Sequence, residues 1–268
     1  MKHVFSMRAV RRWGAVWCLA AGIGLAGSSA AAQTVGGPAL VAAAANMQGA
    51  LGELVPLFER QAAGKVSLTV GSSANLVRQI QQGLPAELFL SADEDFAWRL
   101  ADAGLTTDRG VVYATGRIVL VVPKASALKL DPQLAGLKDA LTSQPNSVQK
   151  FAVANPELAP YGRAAMQALD KQGVLPLLQP KLVVGENIAQ TTQFISSGAA
   201  SAGITALALV LAPAVADRVR YAVVAPELHA PIRQRMVLLK TASPAARAFY
   251  GFLQSPSAKA VLKRYGYE

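Results

Sequence analysis

Strand-like and helix-like runs alternate along most of the 268-residue chain, and this alternation constrains the fold more than any other feature. The run "ALVAAAA" (39–45) reads as a buried strand. "MQGALGELVPLFERQ" follows, with Met47, Leu51, Leu54, Val55 and Phe58 at helical spacing. Pro56 inside that pattern predicts a kink or a division. The strand "KVSLTV" (65–70), the helix "ANLVRQIQQ" stopped by Gly83, the strand "AELFLS" and the helix "EDFAWRLADA" continue the alternation; Asp93 caps the last of these and Gly104 closes it. A long extended stretch, "GVVYATGRIVLVVPK" (110–124), is interrupted at Gly116 and suits a crossing between two lobes. A second series runs through "KFAVA" (150–154), "RAAMQALDKQ", "KLVVG" (181–185), "ENIAQTTQFISSG", "SAGITAL" and the short helix "APAVADRV". Extended "YAVVAP" and "RQRMVLLKTA" then lead to two terminal helices.

Such alternation implies mostly parallel sheets covered by helices. The expected class is therefore α/β, with two lobes around a cleft: lobe I from 33–115 plus 223–268, and lobe II from 116–222. No internal repeat stands out.

Residues 1–32 are set apart from this pattern. Lys2, Arg8, Arg11 and Arg12 precede the short apolar run "WGAVWCLAAGIGLAG", and "AAA" at 30–32 ends it with small residues. That is the pattern of a secretory signal peptide cleaved after Ala32. Arg11-Arg12 leaves Sec and twin-arginine export both open. Beyond this segment 22 of the 26 Lys and Arg remain against all 16 acids, a balance of about +6. These charges are scattered, and aromatics make up only 6% of the chain, so a solvated cationic surface is expected and nucleic-acid binding is not.

The single cysteine, Cys18, falls in the signal segment, and His229 is the only histidine beyond it. That removes thiol nucleophiles, thiolate metal sites and His pairs. No S-x-x-K stands at a strand-to-helix turn, and "SAK" (257–259) misses the spacing. We therefore expect no enzyme, no catalytic residue and no cofactor. A secreted hydrolase and a two-lobed sensor are the competing classes.

Four strand-to-helix junctions carry small or donor-rich residues: "AANM" (44–47), "GSSAN" (71–75), "APYG" (159–162) and "GENIA" (185–189), two in each lobe. Open parallel sheets bind ligands at such ends, where helix N-termini offer free N–H groups and positive dipoles. Taken singly, Ser73 and Asn46 read as N-caps, a role Asp would fill as well as Asn, and Tyr161 reads as a packing residue. Asp93 reads as a cap, and Arg78 as a solvated residue on a polar helix face.

At these junctions, and through "GSSANLVRQIQQGLPAELFLSAD", "IVLVVPK", "ANPELAPYGRAAMQAL" and the terminal "LKRYGYE", the chain resembles the periplasmic molybdate-binding proteins of ABC transporters. The resemblance covers essentially all of the chain after the signal segment. It implies the type II periplasmic-binding fold, with molybdate or tungstate held between the lobes by neutral donors. The metal would be present only inside the bound oxyanion, without direct protein ligands. Matching positions put side-chain donors at Asn46 and Ser73 and backbone donors at Tyr161 and Ile188. Implied partners are the membrane permease and ATPase of the transporter, with the binding protein a monomer. Where some relatives place a Tyr hydroxyl this chain has Ala206. Sulfate and thiosulfate are the alternative ligands; phosphate is disfavoured, because its proton needs an acceptor and the implied shell is mostly donors.

Overall fold

In the computed structural model, which describes residues 37–61 and 64–268, the alternation becomes two five-stranded sheets. The signal segment lies outside the described residues. The strands of the first half are β1 (Ala39–Ala44), β2 (Val66–Gly71), β3 (Leu88–Leu90) and β4 (Val111–Gly116). Those of the second are β5 (Ile118–Pro123), β6 (Phe151–Ala154), β7 (Leu182–Gly185), β8 (Ala202–Ala206) and β9 (Val219–Val223), and β10 (Ile232–Leu238) returns to the first sheet. The sheet orders are β2-β1-β3-β10-β4 and β7-β6-β8-β5-β9.

Read from its own first parallel strand, each sheet has the same topology, a duplication the sequence did not disclose. β1 runs parallel to β2 and β3, as β6 does to β7 and β8. β10 is antiparallel to both its neighbours, and so is β5. The sheets are thus mixed rather than mostly parallel, because the strand that brings the chain into each sheet from the other runs against its neighbours. Those entries pass through Arg117, between β4 and β5, and through residues 224–231, between β9 and β10.

The helices are α1 (Gln48–Gln61), α2 (Ser73–Gln81), α3 (Glu94–Asp102), α4 (Ala135–Ser143), α5 (Pro160–Lys171), α6 (Leu175–Leu178), α7 (Ile188–Ser196), α8 (Leu207–Val210), α9 (Pro213–Ala216), α10 (Pro244–Leu253) and α11 (Pro256–Arg264). Pro56 does not divide α1. It lies on the exposed face, where the Gly52 carbonyl it leaves unbonded can meet water, while Leu51, Leu54 and Phe58 stay buried. Phe58 also packs 5.0 Å and 5.5 Å from the rings of Phe249 and Phe252. The unexpected helix α4 is anchored by Asp131, whose carboxylate accepts from the N–H groups of Gln133, Ala135 and Gly136 at 3.0, 3.0 and 2.7 Å.

Each sheet is covered on both faces. Along β1, Ala39, Val41 and Ala43 join the core under α1, α10 and α11, and Ala42 joins the one under α2 and α3. Along β5, Ile118, Leu120 and Val122 alternate in the same way with Val119 and Val121. This is the period-two pattern of a strand buried on both sides. Fully burying a side chain such as Phe89 or Phe151 contributes about 2 kcal/mol. Ala44, Ala45 and Ala92, from the ends of first-sheet strands, belong to the core of the second sheet, so the two cores meet where the strands of the first sheet end.

Candidate functional site

All four junctions line one cavity. Ala44, Ala45 and Asn46 come from the end of β1, Gly71, Ser72 and Ser73 from the β2–α2 turn, and Ala92 follows β3. From the second sheet come Ala159, Pro160 and Tyr161 at the start of α5, with Asn187 and Ile188 at the start of α7. The cavity is small, and no charged side chain lines it.

Each junction is built by local chemistry. At β2–α2, Ser72 is extended and is the N-cap of α2, its carbonyl accepting from Leu76 N at 3.0 Å. Its hydroxyl makes no capping bond, is buried, and has no hydrogen-bond partner. Ser73 is therefore not the cap; it is the first helical residue, and its Oγ accepts from Ala92 N at 3.1 Å. With that lone pair engaged, the Ser73 O–H remains as a donor. At α5, Pro160 occupies the first helical position, where no N–H is needed. Gly162 lets α5 approach the end of β6, since a Cβ there would lie 2.2 Å from the Ala154 carbonyl oxygen. At α7, Asn187 Oδ1 accepts from the N–H groups of Ala189 and Gln190, both at 3.0 Å. That cap leaves the Ile188 N–H unclaimed. As first-turn groups, the N–H groups of Ser73, Tyr161 and Ile188 have no acceptor within their own helices. The positive ends of α2, α5 and α7 converge with them on the cavity.

Asn46 is placed differently from the expectation of a capping residue. The cap of its short turn, Ala45–Met47, is Ala44, and Asn46 is almost fully buried. Its Nδ2 donates to Gln234 Oε1 at 2.7 Å and to the Tyr267 hydroxyl at 2.9 Å. The Tyr267 hydroxyl in turn donates to the Asn46 carbonyl at 2.9 Å, and Asn46 Oδ1 has no partner. Both amide protons are thus committed inside the protein. A turnover of the Asn46 and Gln234 amides together would aim Nδ2 away from Gln234 and preserve their mutual bond. Tyr113 donates to the Ser91 carbonyl, or to Gln234 Oε1 at 3.0 Å, and Gln234 Nε2 donates to the Tyr161 hydroxyl at 3.0 Å. Burial pushes the Tyr113, Tyr161 and Tyr267 hydroxyls above the ordinary tyrosine range, so the network is neutral.

Contacts between the two sheets' elements surround the cavity. Ala74 N donates to the Leu158 carbonyl at 3.2 Å, and Asn75 Nδ2 to Glu186 Oε1 at 2.5 Å. Arg163 of α5 reaches Asp93 at 3.4 Å and Asp95 at 3.3 Å on α3 and its cap. Asp93 caps α3 as expected, accepting from Phe96 N at 3.0 Å; burial raises its carboxyl pKa, and it does not line the cavity. Arg78 is exposed, and Ala206 is buried without lining the cavity.

The structure therefore brings Asn46, Ser73, Tyr161 and Ile188 together. Sequence reasoning did not assign Ser72, Gln234, Tyr113 or Tyr267. Ser72 stood beside Ser73 in the same motif, and Tyr267 in "KRYGYE", but spacing along the chain does not show which hydroxyls converge. Among the described residues there is no cluster of three His, Cys, Asp or Glu side chains that could hold a metal, and no helix long and apolar enough to cross a membrane.

Residues 39–268 match the family described as bacterial extracellular solute-binding protein. The molybdate-binding protein ModA of Azotobacter vinelandii is 35% identical over 93% of this chain and 95% of its own length. The solved periplasmic molybdate-binding protein of Azotobacter vinelandii superposes with a TM-score of 0.77 at 30% identity, covering 86% of this chain and 98% of that one. The sulfate-binding protein SubI of Mycobacterium tuberculosis shares the fold, with a TM-score of 0.70 at 19% identity over 86% of each chain. The chain belongs to the bacterial extracellular solute-binding protein family, the family of these molybdate-binding relatives.

Proposed function

We propose that this protein captures molybdate, and tungstate with it, in the cavity between its two sheets and delivers the anion to the permease and ATPase of an ABC importer. The observation that carries the reading is the convergence of three helix N-termini and the Ala45–Met47 turn on a cavity with no charged side chain, in a chain 35% identical to a molybdate-binding relative. Donors without a carboxylate acceptor favour a fully ionised tetrahedral dianion over one that keeps a proton. Ser73 contributes its hydroxyl, Tyr161 and Ile188 their N–H groups, and Asn46 its amide once turned over with that of Gln234. Several bonds to charged oxygens, each worth about 1.5–3 kcal/mol, reach the 12 kcal/mol or so of a nanomolar complex.

The protein acts as a monomeric binding protein without cofactor or catalysis, in the periplasm, after removal of residues 1–32. Its lobes, 33–115 with 223–268 and 116–222, close over the anion about the two crossings. Isothermal titration with molybdate, tungstate and sulfate side by side tests the reading. Molybdate and tungstate are expected to bind far more tightly than sulfate; equal or tighter sulfate binding overturns the assignment.

A further inference from the structure

Ser72 carries the one hydroxyl lining the cavity that makes no hydrogen bond in the protein. It is 2% exposed, and its Oγ neither caps α2 nor hydrogen-bonds to any other group. A buried hydroxyl without a partner is costly, and native folds retain few of them without a use. Its neighbour Ser73 has its oxygen fixed by the Ala92 N–H, whereas the Ser72 hydroxyl is free both to donate and to rotate. The extended backbone of Ser72, φ −72° and ψ 146°, hands β2 over to α2 at the rim of the same converging N-termini.

We propose that Ser72 is a further ligand-binding residue, its hydroxyl donating to an oxygen of the bound tetrahedral dianion alongside that of Ser73. The proposal rests on the functional reading above and adds one donor to it. It separates the two serines by role. Ser73 braces the end of β3 and also donates, so its loss disturbs the fold; Ser72 is bonded only when the ligand is bound.

The test is Ser72→Ala, titrated calorimetrically with sodium molybdate beside the wild type, with ligand-free unfolding followed for both. The expected result is an affinity lower by about ten- to a hundredfold, the loss of one hydrogen bond to a charged group, with ligand-free stability unchanged or slightly raised. Ser72→Thr, which keeps the hydroxyl, is expected to recover part of the affinity. A Ser72→Ala protein that binds molybdate as tightly as wild type overturns the proposal alone. Wild-type protein that binds none of molybdate, tungstate and sulfate overturns the functional reading and this proposal with it. Ser72→Ala protein that loses ligand-free stability in proportion to affinity makes Ser72 a structural residue and also overturns it.

Discussion

Gln234 Nε2 donates to the Tyr161 hydroxyl across 3.0 Å, joining a strand of the first sheet to the first turn of a helix over the second. The pairing of β10 with β4 shifts register between Gln234 and Arg235, and such a bulge re-aims side chains. Gln234, fully buried, thereby bonds Tyr161 on one side while accepting from Asn46 on the other. The residue that crosses between sheets thus holds the side chains of two of the proposed ligand residues.

Tyr161→Phe separates the hydroxyl from the backbone N–H. The substitution leaves Gln234 Nε2 without its acceptor, so stability is expected to fall by about 1–3 kcal/mol in denaturant titration. The N–H at the start of α5 is retained, and molybdate affinity is expected to stay within about tenfold of wild type. Abolished binding in a well-folded variant would show that the hydroxyl, not the backbone, carries the contact.

Gly116 sits at the end of β4, where a Cβ would lie 2.0 Å from the Tyr161 hydroxyl and 2.9 Å from Gln234 Nε2. Gly116→Ala must therefore displace Tyr161 from the crossing. The expected outcome is lower stability together with weaker molybdate binding. In solution scattering, ligand should produce a smaller decrease in radius of gyration than in wild type. Wild-type affinity and compaction in this variant would mean that the crossing tolerates movement of Tyr161 without cost.

The parts of this fold that were legible in the sequence are those encoded locally. Strand-to-helix junctions announce themselves through small and hydroxyl-bearing residues, and Gly116 marks the crossing from β4 to β5. α4 was missed: it begins after Leu134, which holds a left-handed φ of 59° with no glycine to signal the turn, and Asp131 anchors it from four and five residues away. The polar network was illegible for a different reason. Asn46 lies 188 residues from Gln234 and 221 from Tyr267, and nothing along the chain sets those separations. The duplicated sheet order was hidden likewise, because topology repeats where side chains do not.

Binding should be nearly independent of pH. No acidic or basic side chain lines the cavity, and burial keeps the three tyrosines protonated beyond the ordinary tyrosine range of about 10. Molybdate affinity is expected to be flat from about pH 7 to 9.5. Stability behaves otherwise: with folded-state pKa values above the unfolded value, the tyrosines' contribution is intact below about pH 10 and is lost as pH rises further and the unfolded chain ionises. A tenfold fall in affinity by pH 9.5 would reveal a titrating donor in the site.

Asn46→Asp tests the amide pair. As a simple cap, Asp would replace Asn without loss. In the structure, however, Nδ2 makes two buried bonds; a carboxylate oxygen in its place keeps the Gln234 bond only with that amide turned over, and it brings a charge into a buried, neutral network. Ligand-free stability is therefore expected to fall by about 2–4 kcal/mol, from the lost amide donor and the burial of a carboxylate. The carboxylate also lies beside the cavity. At an effective dielectric of about 20, two unit charges 4 Å apart repel by about 4 kcal/mol, close to a thousandfold in affinity. The folded fraction of Asn46→Asp should thus bind molybdate at least a thousandfold more weakly, by titration under conditions where unfolding is below detection. Loss of stability with wild-type affinity would make Asn46 a network residue only, and would leave Ser73, Tyr161 and Ile188 to hold the anion.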